Sequence, residues 1–271
     1  MLPLVEALTH FYEALHRTDK ARVLRPAERK LEKAMQKTFR KQGAAFVKGF
    51  FKLRNKFEVQ ESAYLREGIG DDDLDPIFDD AENDDEFIEP IQSAAEDMLL
   101  AGAQQILSEL DLSISFDLKN PRAVAYLKAH GADLVTKINS TTREYIKTLV
   151  TQAMDEGWSY QKTARMLIAR YEEFAVGKPQ QHIASRAQLI AVTESGNAYE
   201  AGNFIPIQDL MDSGIEMEKS WNTMGDNRVS AGCLANEAEG WIPADQEHGS
   251  GDMTPLRFPG CRCDELYMTK E

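Results

Sequence analysis

Residues 226 to 263 hold all three cysteines of the chain, Cys233, Cys261 and Cys263, within 38 positions. The same stretch carries Asp226 and Arg228, the turn Glu239-Gly240-Trp241-Ile242-Pro243, His248, and the closing run Phe258-Pro259-Gly260-Cys261-Arg262-Cys263. Cys261 and Cys263 stand two apart, so on an extended segment they project to one face. With Cys233 they offer three thiolates to zinc, and His248 is a candidate fourth ligand. Such a metal would stabilise a small strand-and-turn unit directly, because its binding energy adds to folding. Two other readings stand beside it. Free cysteines are among the most buried residue types and serve as inert core, and a disulfide can form once the protein meets oxidising surroundings.

The second constellation is charged. Arg186 and Glu194 lie eight apart on one helical stretch, sharing a face without touching. Asp226, Arg228 and Arg262 follow in the turn-rich segment. The expectation is a structural network in which Glu194 accepts from Arg228 or Arg262 and locks the helix to the strand unit; ion-pair networks of this kind imply no chemistry. Enzyme signatures are absent from the sequence: no Gly-x-Ser-x-Gly, no phosphate-binding glycine loop, no His-Glu-x-x-His. The five histidines are scattered and read as surface or helix-face residues.

Elements must position these groups. With 271 residues and 42% hydrophobic content the chain can bury a sizeable core as one large or two ordinary domains. Leu4, Leu8, Phe11 and Leu15 form a helical stripe, Pro26 suits the first turn of a next helix, and Leu31, Met35, Phe39, Phe46, Phe50, Leu53 and Phe57 continue at helical spacing. This predicts a long basic amphipathic helix of roughly eight turns. Residues 1–70 carry 15 Lys/Arg against 8 Asp/Glu, whereas 71–89 hold 11 acidic residues and no basic one. The first reads as a basic arm, the second as a flexible acidic linker. A calcium loop there fails on Pro76, which stands where the loop needs glycine.

Helical signals resume after Pro90. Leu112-Ser-Ile-Ser-Phe116 alternates as a strand or extended connection, Pro121 opens a helix ending near His130-Gly131, and Thr141-x-x-Glu144 has capping-box form. Gly157 and Ser159 mark a short connection between antiparallel helices, and a further helix runs from about 182 to 203. Ile215, Met217 and Trp221 then alternate with polar residues as a strand, with Lys219 in the apolar row. The predicted fold class is α+β, predominantly helical, with a small C-terminal strand-and-turn unit packed on helices. Its expected parts are a basic helical arm (1–70), an acidic linker (71–90), a helical connector (91–134) and a C-terminal domain (135–271). No run of about 18 apolar residues occurs, so no membrane span is expected, and the start lacks a signal-peptide pattern.

Taken in order, Arg186-Ala187…Thr193-Glu194…Asn197-Ala198…Ala201-Gly202, then Trp221, Asp226-Asn-Arg228, Cys233, Gly240-Trp241-Ile242-Pro243 and Pro259-Gly260-Cys261-Arg262-Cys263 resemble the C-terminal domain of phage head morphogenesis proteins, the Mu F-like minor head proteins. The likeness covers roughly residues 135–268. It departs from the family pattern at Phe258, where the family usually has a histidine before the final Cys-Arg-Cys. The resemblance implies a minor capsid protein and not an enzyme, taking part in head assembly with the portal protein and with major capsid or scaffolding protein. It places the product in the virion, at the head interior or portal vertex, after synthesis in the host cytoplasm. The basic residues 1–70 add viral DNA as a candidate partner; a membrane is not expected. The alternative from another class is a zinc-dependent hydrolase or nuclease built on the cysteine cluster.

Overall fold

The computed structural model describes residues 2–56, 69–176, 183 and 185–270, with side chains at all of these except 2–11, 54–56 and 130–133. Among them the chain forms seven helices and a small antiparallel sheet, an α+β fold dominated by helix. In chain order these are α1 (Leu2–Lys56), α2 (Asp71–Ala81), α3 (Asp85–Glu109), α4 (Pro121–Asp155), α5 (Tyr160–Val176), α6 (Arg186–Asp212), β1 (Met217–Asn222), α7 (Ala231–Ala238), β2 (Ile242–Pro243) and β3 (Asp264–Thr269). The residues divide into two compact units, neither continuous in sequence. Unit 1 is Met1–Lys30, Gln92–Lys128 and Ile190–Glu271; unit 2 is Leu31–Ile91 and Ala129–Leu189.

Unit 2 is built on the predicted stripe. Leu31, Met35, Phe39, Phe46, Phe50 and Leu53 are all buried, while Lys33, Lys37, Arg40, Lys41, Lys48 and Lys52 face solvent. Phe46 meets Phe78 at 4.6 Å between ring centroids, Phe39 meets Phe87 at 5.4 Å, and Phe50 meets Tyr160 at 5.4 Å. Each such side chain contributes roughly 1.5–3 kcal/mol on burial. Gly43 occupies the gap in the stripe because a Cβ there would lie 2.7 Å from Cβ of Tyr171.

Unit 1 holds the sheet, in the order β2-β1-β3 with both pairings antiparallel. In its register Asn222 faces Asp264 and Met217 faces Thr269. Met217 and Tyr267 join Ile106 and Ile207 in one cluster, and Leu24, Met98, Ala198 and Tyr199 form another. Helices α3 and α6 cross backbone to backbone. A Cβ on Gly102 would sit 2.2 Å from the Tyr199 carbonyl oxygen, and one on Gly202 would sit 2.3 Å from that of Leu99.

Several sequence expectations change. Pro26 lies inside α1 and starts no new helix; it is exposed, so water can solvate the carbonyl it leaves without a donor. The acidic stretch 71–89 is helical, forming α2 and the start of α3. Leu74, Ile77, Phe78 and Ala81 give it a buried face, and aspartates in its first turn suit the helix dipole. Its remaining charge is met by α4: Arg143 bonds Glu82 and Asp79, and Lys147 bonds Asp71 and Asp75 at 3.0 and 2.9 Å. Residues 112–116 form no strand and are instead part of the connection between α3 and α4, the other reading of that stretch. Helix α4 runs through 130–131, and Thr141, far from capping, returns its hydroxyl to the Lys137 carbonyl within the helix. Helix α6 continues past 203 to Asp212, through Pro206. Gly157, at φ 61°, does end α4, and Ser159 does accept from the Lys162 N–H.

Candidate functional site

The turn-rich segment of unit 1 is positioned by four elements. Strand β1 brings Trp221, fully buried, and Lys219, whose Nζ donates to the Met253 carbonyl although it lies in the apolar row. Ser230 caps α7, its hydroxyl accepting the Cys233 N–H at 3.2 Å, which sets Cys233 in the first turn of that helix. Sequence reasoning missed α7 because its eight residues follow a run of turn formers. The Pro259-Gly260 turn, with Gly260 at φ 81°, then delivers Cys261 and Cys263 ahead of β3. The Gly260 N–H is held at 3.0 Å by the hydroxyl of Thr193 on α6.

The three cysteines converge. All are buried and free, packed against Trp221, Val229 and Leu256. Their sulfurs lie within 4.8 Å of one another, and Cys233 Sγ and Cys261 Sγ are 3.9 Å apart. The Cys263 thiol donates to Cys261 and holds its thiol down at about 5 against the opposing effect of burial; backbone N–H groups of Cys263 and Arg257 act the same way. Cys263, as that donor and by burial, is pushed up.

His248 does not join them. It is buried, not a surface residue as expected. Its Nδ1 meets Glu239 at 3.3 Å and its Nε2 meets Glu265 at 3.1 Å, with the ring edge-on to Trp221 at 5.0 Å. Both ring nitrogens are occupied by carboxylates.

Of the residues expected in one charged network, the structure brings Asp226, Arg228 and Arg262 together. Arg262 pairs with Asp226 through contacts of 2.8 and 2.9 Å, and the Arg228 N–H donates to the same carboxylate. Glu194 is buried in unit 1, where burial first, then its charge, raises the Tyr126 phenol. Arg186 belongs to unit 2. It donates to the Thr142 hydroxyl and the Ile138 carbonyl, both at 2.9 Å, and its guanidinium lies over the rings of Phe39 and Phe174. Burial lowers its pKa to about 10, against the fields of Tyr145 and Tyr171.

A stronger ionic cluster, unseen in the sequence, ties α1 to β3, α3 and α6. His16 Nδ1 lies 2.6 Å from Asp264 and its Nε2 lies 2.8 Å from Glu109. Lys20 donates to Glu200, to the Cys263 carbonyl at 2.6 Å and to Asp264 at 3.2 Å. Burial disfavours the His16 charge, but Asp264 and Glu109 outweigh it and raise the pKa to about 10. Burial raises the Glu200 carboxyl well above the usual range, Lys20 opposing and Asp264 adding to the rise. Every one of these groups is turned to another of them, which is the arrangement of a clamp and not of an acid–base pair awaiting substrate. A signal was present: His16 and Lys20 stand eight and four residues before buried Leu24, on the apolar face itself.

Beside the clamp lies a cleft of about 160 Å³, walled by Leu24, Val192, Gly196 and Leu256 and edged by Arg17, Arg25 and Arg262, with Cys261 in its lining. Among the described residues no helix is long and apolar enough to cross a membrane.

No curated protein and no solved structure matches the chain. Residues 144–266 match the family described as Phage Mu protein F like protein, a span holding α5, α6, β1, α7, β2, the start of β3 and the cysteine cluster. Over that C-terminal span the chain is similar to phage Mu protein F.

Proposed function

We propose that the chain is a structural minor capsid protein that takes part in phage head assembly, making contacts with the portal protein and with capsid or scaffolding protein inside the head. The match over residues 144–266 carries this reading. The buried clamp agrees with it: its cations and carboxylates pair with one another, which suits a rigid assembly component. The solvent-facing cations of α1, among them Arg22, Arg25, Arg29 and Lys30, add packaged viral DNA as a partner, a contact that would weaken steeply with salt.

Co-expression with the portal protein tests the proposal. The expected result is co-purification of the chain with the portal ring, and heads assembled without the chain should lose infectivity. A chain that joins neither portal, capsid nor scaffold, and whose omission leaves infectious particles unchanged, would overturn it. The hydrolase alternative predicts metal-dependent cleavage of DNA or ester substrates by the purified protein, lost on mutation of Cys261.

A further inference from the structure

We infer that Cys233, Cys261 and Cys263 bind one zinc ion through three sulfurs, with solvent as the fourth ligand. This goes beyond the assembly role, which requires no metal. The geometry argues for it first. Tetrahedral zinc with bonds of about 2.3 Å sets its sulfurs roughly 3.8 Å apart; Cys233 and Cys261 stand at 3.9 Å, and all three sulfurs lie within 4.8 Å of one another. A disulfide needs about 2.05 Å, so these sulfurs stand at the spacing of co-ligands and not of a bond.

The placement argues for it second. Apolar packing alone does not bring three thiols from two segments into mutual contact; inert buried cysteines pack as well apart. Here the approach is set by devices on both sides. The Ser230 cap fixes Cys233, and the Gly260 turn, held by Thr193, fixes Cys261 and Cys263. Backbone N–H groups of Arg257 and Cys263 are directed at the Cys261 sulfur, the outer-shell donors that metal thiolates commonly have.

The ligand set also selects the ion. Three sulfurs suit zinc over magnesium or calcium, which take oxygen. Among the described residues no fourth His, Cys, Asp or Glu joins the group, and His248 is committed to Glu239 and Glu265. Cys261 also lines the cleft, which gives solvent a route to the remaining position. The region gains from a cross-link, since β2 has two residues and most of 244–263 is irregular.

The test uses the full chain expressed in zinc-supplemented medium and desalted. Elemental analysis should find about one zinc per chain, released as a mercurial reagent titrates the thiols. Cys233→Ser and Cys261→Ser should each lower bound zinc at least about tenfold, while His248→Gln keeps it. Should the serine variants fail to fold, cobalt titration of the unmodified chain decides: sulfur-to-cobalt charge-transfer absorption with tetrahedral ligand-field bands supports the site. Metal-free protein that shows no cobalt spectrum overturns it. A folded His248→Gln chain that loses its zinc overturns the three-sulfur ligand set.

Discussion

His16 and Asp264 stand 248 residues apart in sequence and 2.6 Å apart in space, at the centre of a buried cluster completed by Lys20, Glu200 and Glu109. Removing one partner of such a cluster leaves uncompensated charge in the interior, which costs about 3–5 kcal/mol. Asp264→Ala strands both His16 and Lys20, so a loss of that order is expected in urea denaturation. Asp226→Ala is the control. Its partner Arg262 is part-exposed and the pair is open to solvent, so the expected loss is at most about 1 kcal/mol. Equal losses for the two variants would contradict the clamp.

The pH dependence follows from His16. Its folded pKa, about 10, lies above the ordinary histidine value of 6.5. The native state therefore holds a proton that the unfolded chain releases above about pH 6.5. The contribution of His16 is fully present below that point and is lost as pH rises through 10. Denaturation midpoints should fall between pH 7 and 10 in the unmodified chain, and His16→Gln should flatten that slope. An unchanged slope would remove His16 from the account.

Gly202→Ala sets two effects against each other. Alanine gains about 1 kcal/mol of helix propensity over glycine. Its Cβ, however, would lie 2.3 Å from the Leu99 carbonyl oxygen, and backbone on both sides has no rotamer to yield. Overpacking of this kind costs about 1–3 kcal/mol. A net destabilisation is expected from thermal melts of Gly202→Ala and Gly102→Ala alike. A stabilised variant would mean the helices part easily.

Arg143 bonds Glu82 twice and Asp79 once, and its guanidinium lies 5.2 Å from the Phe78 ring centre. Arg143→Ala should release like-charge repulsion along α2 at a cost of about 1 kcal/mol, discounted for the exposed partners. Amide hydrogen exchange at 71–81 should quicken at low salt and recover partly at high salt.

Arg186→Lys tests planarity more than charge. The guanidinium spans Phe39 and Phe174 and makes two hydrogen bonds of 2.9 Å, a geometry that a lysine ammonium cannot copy. The expected loss is about 1–3 kcal/mol by urea denaturation, with Thr142→Ala reproducing a fraction of it.

The long stripe of α1 was legible because Leu31, Met35, Phe39, Phe46 and Phe50 repeat at helical spacing and core burial enforces that period. Helix α2 was not, since a count of eleven acids outweighed the pattern of Leu74, Ile77, Phe78 and Ala81; the neutralising Arg143 and Lys147 lie more than sixty residues away. The Cys-x-Cys alternation pointed to one face, and both residues do converge with Cys233. What composition could not reveal was the company of His248 and His16, because each finds its carboxylates only through the tertiary fold.

The clamp also sets a schedule for synthesis. Lys20 leaves the ribosome 244 residues before Asp264, an interval of roughly 10–50 s at about 5–20 residues per second. Through that time the N-terminal helix carries a lysine and a histidine on a face meant for burial, without the acid they close upon. Unit 1 thus cannot be completed segment by segment as translation proceeds. A nascent chain stalled before residue 264 should stay open to chaperones and proteases, so that only chains carrying β3 reach the closed fold.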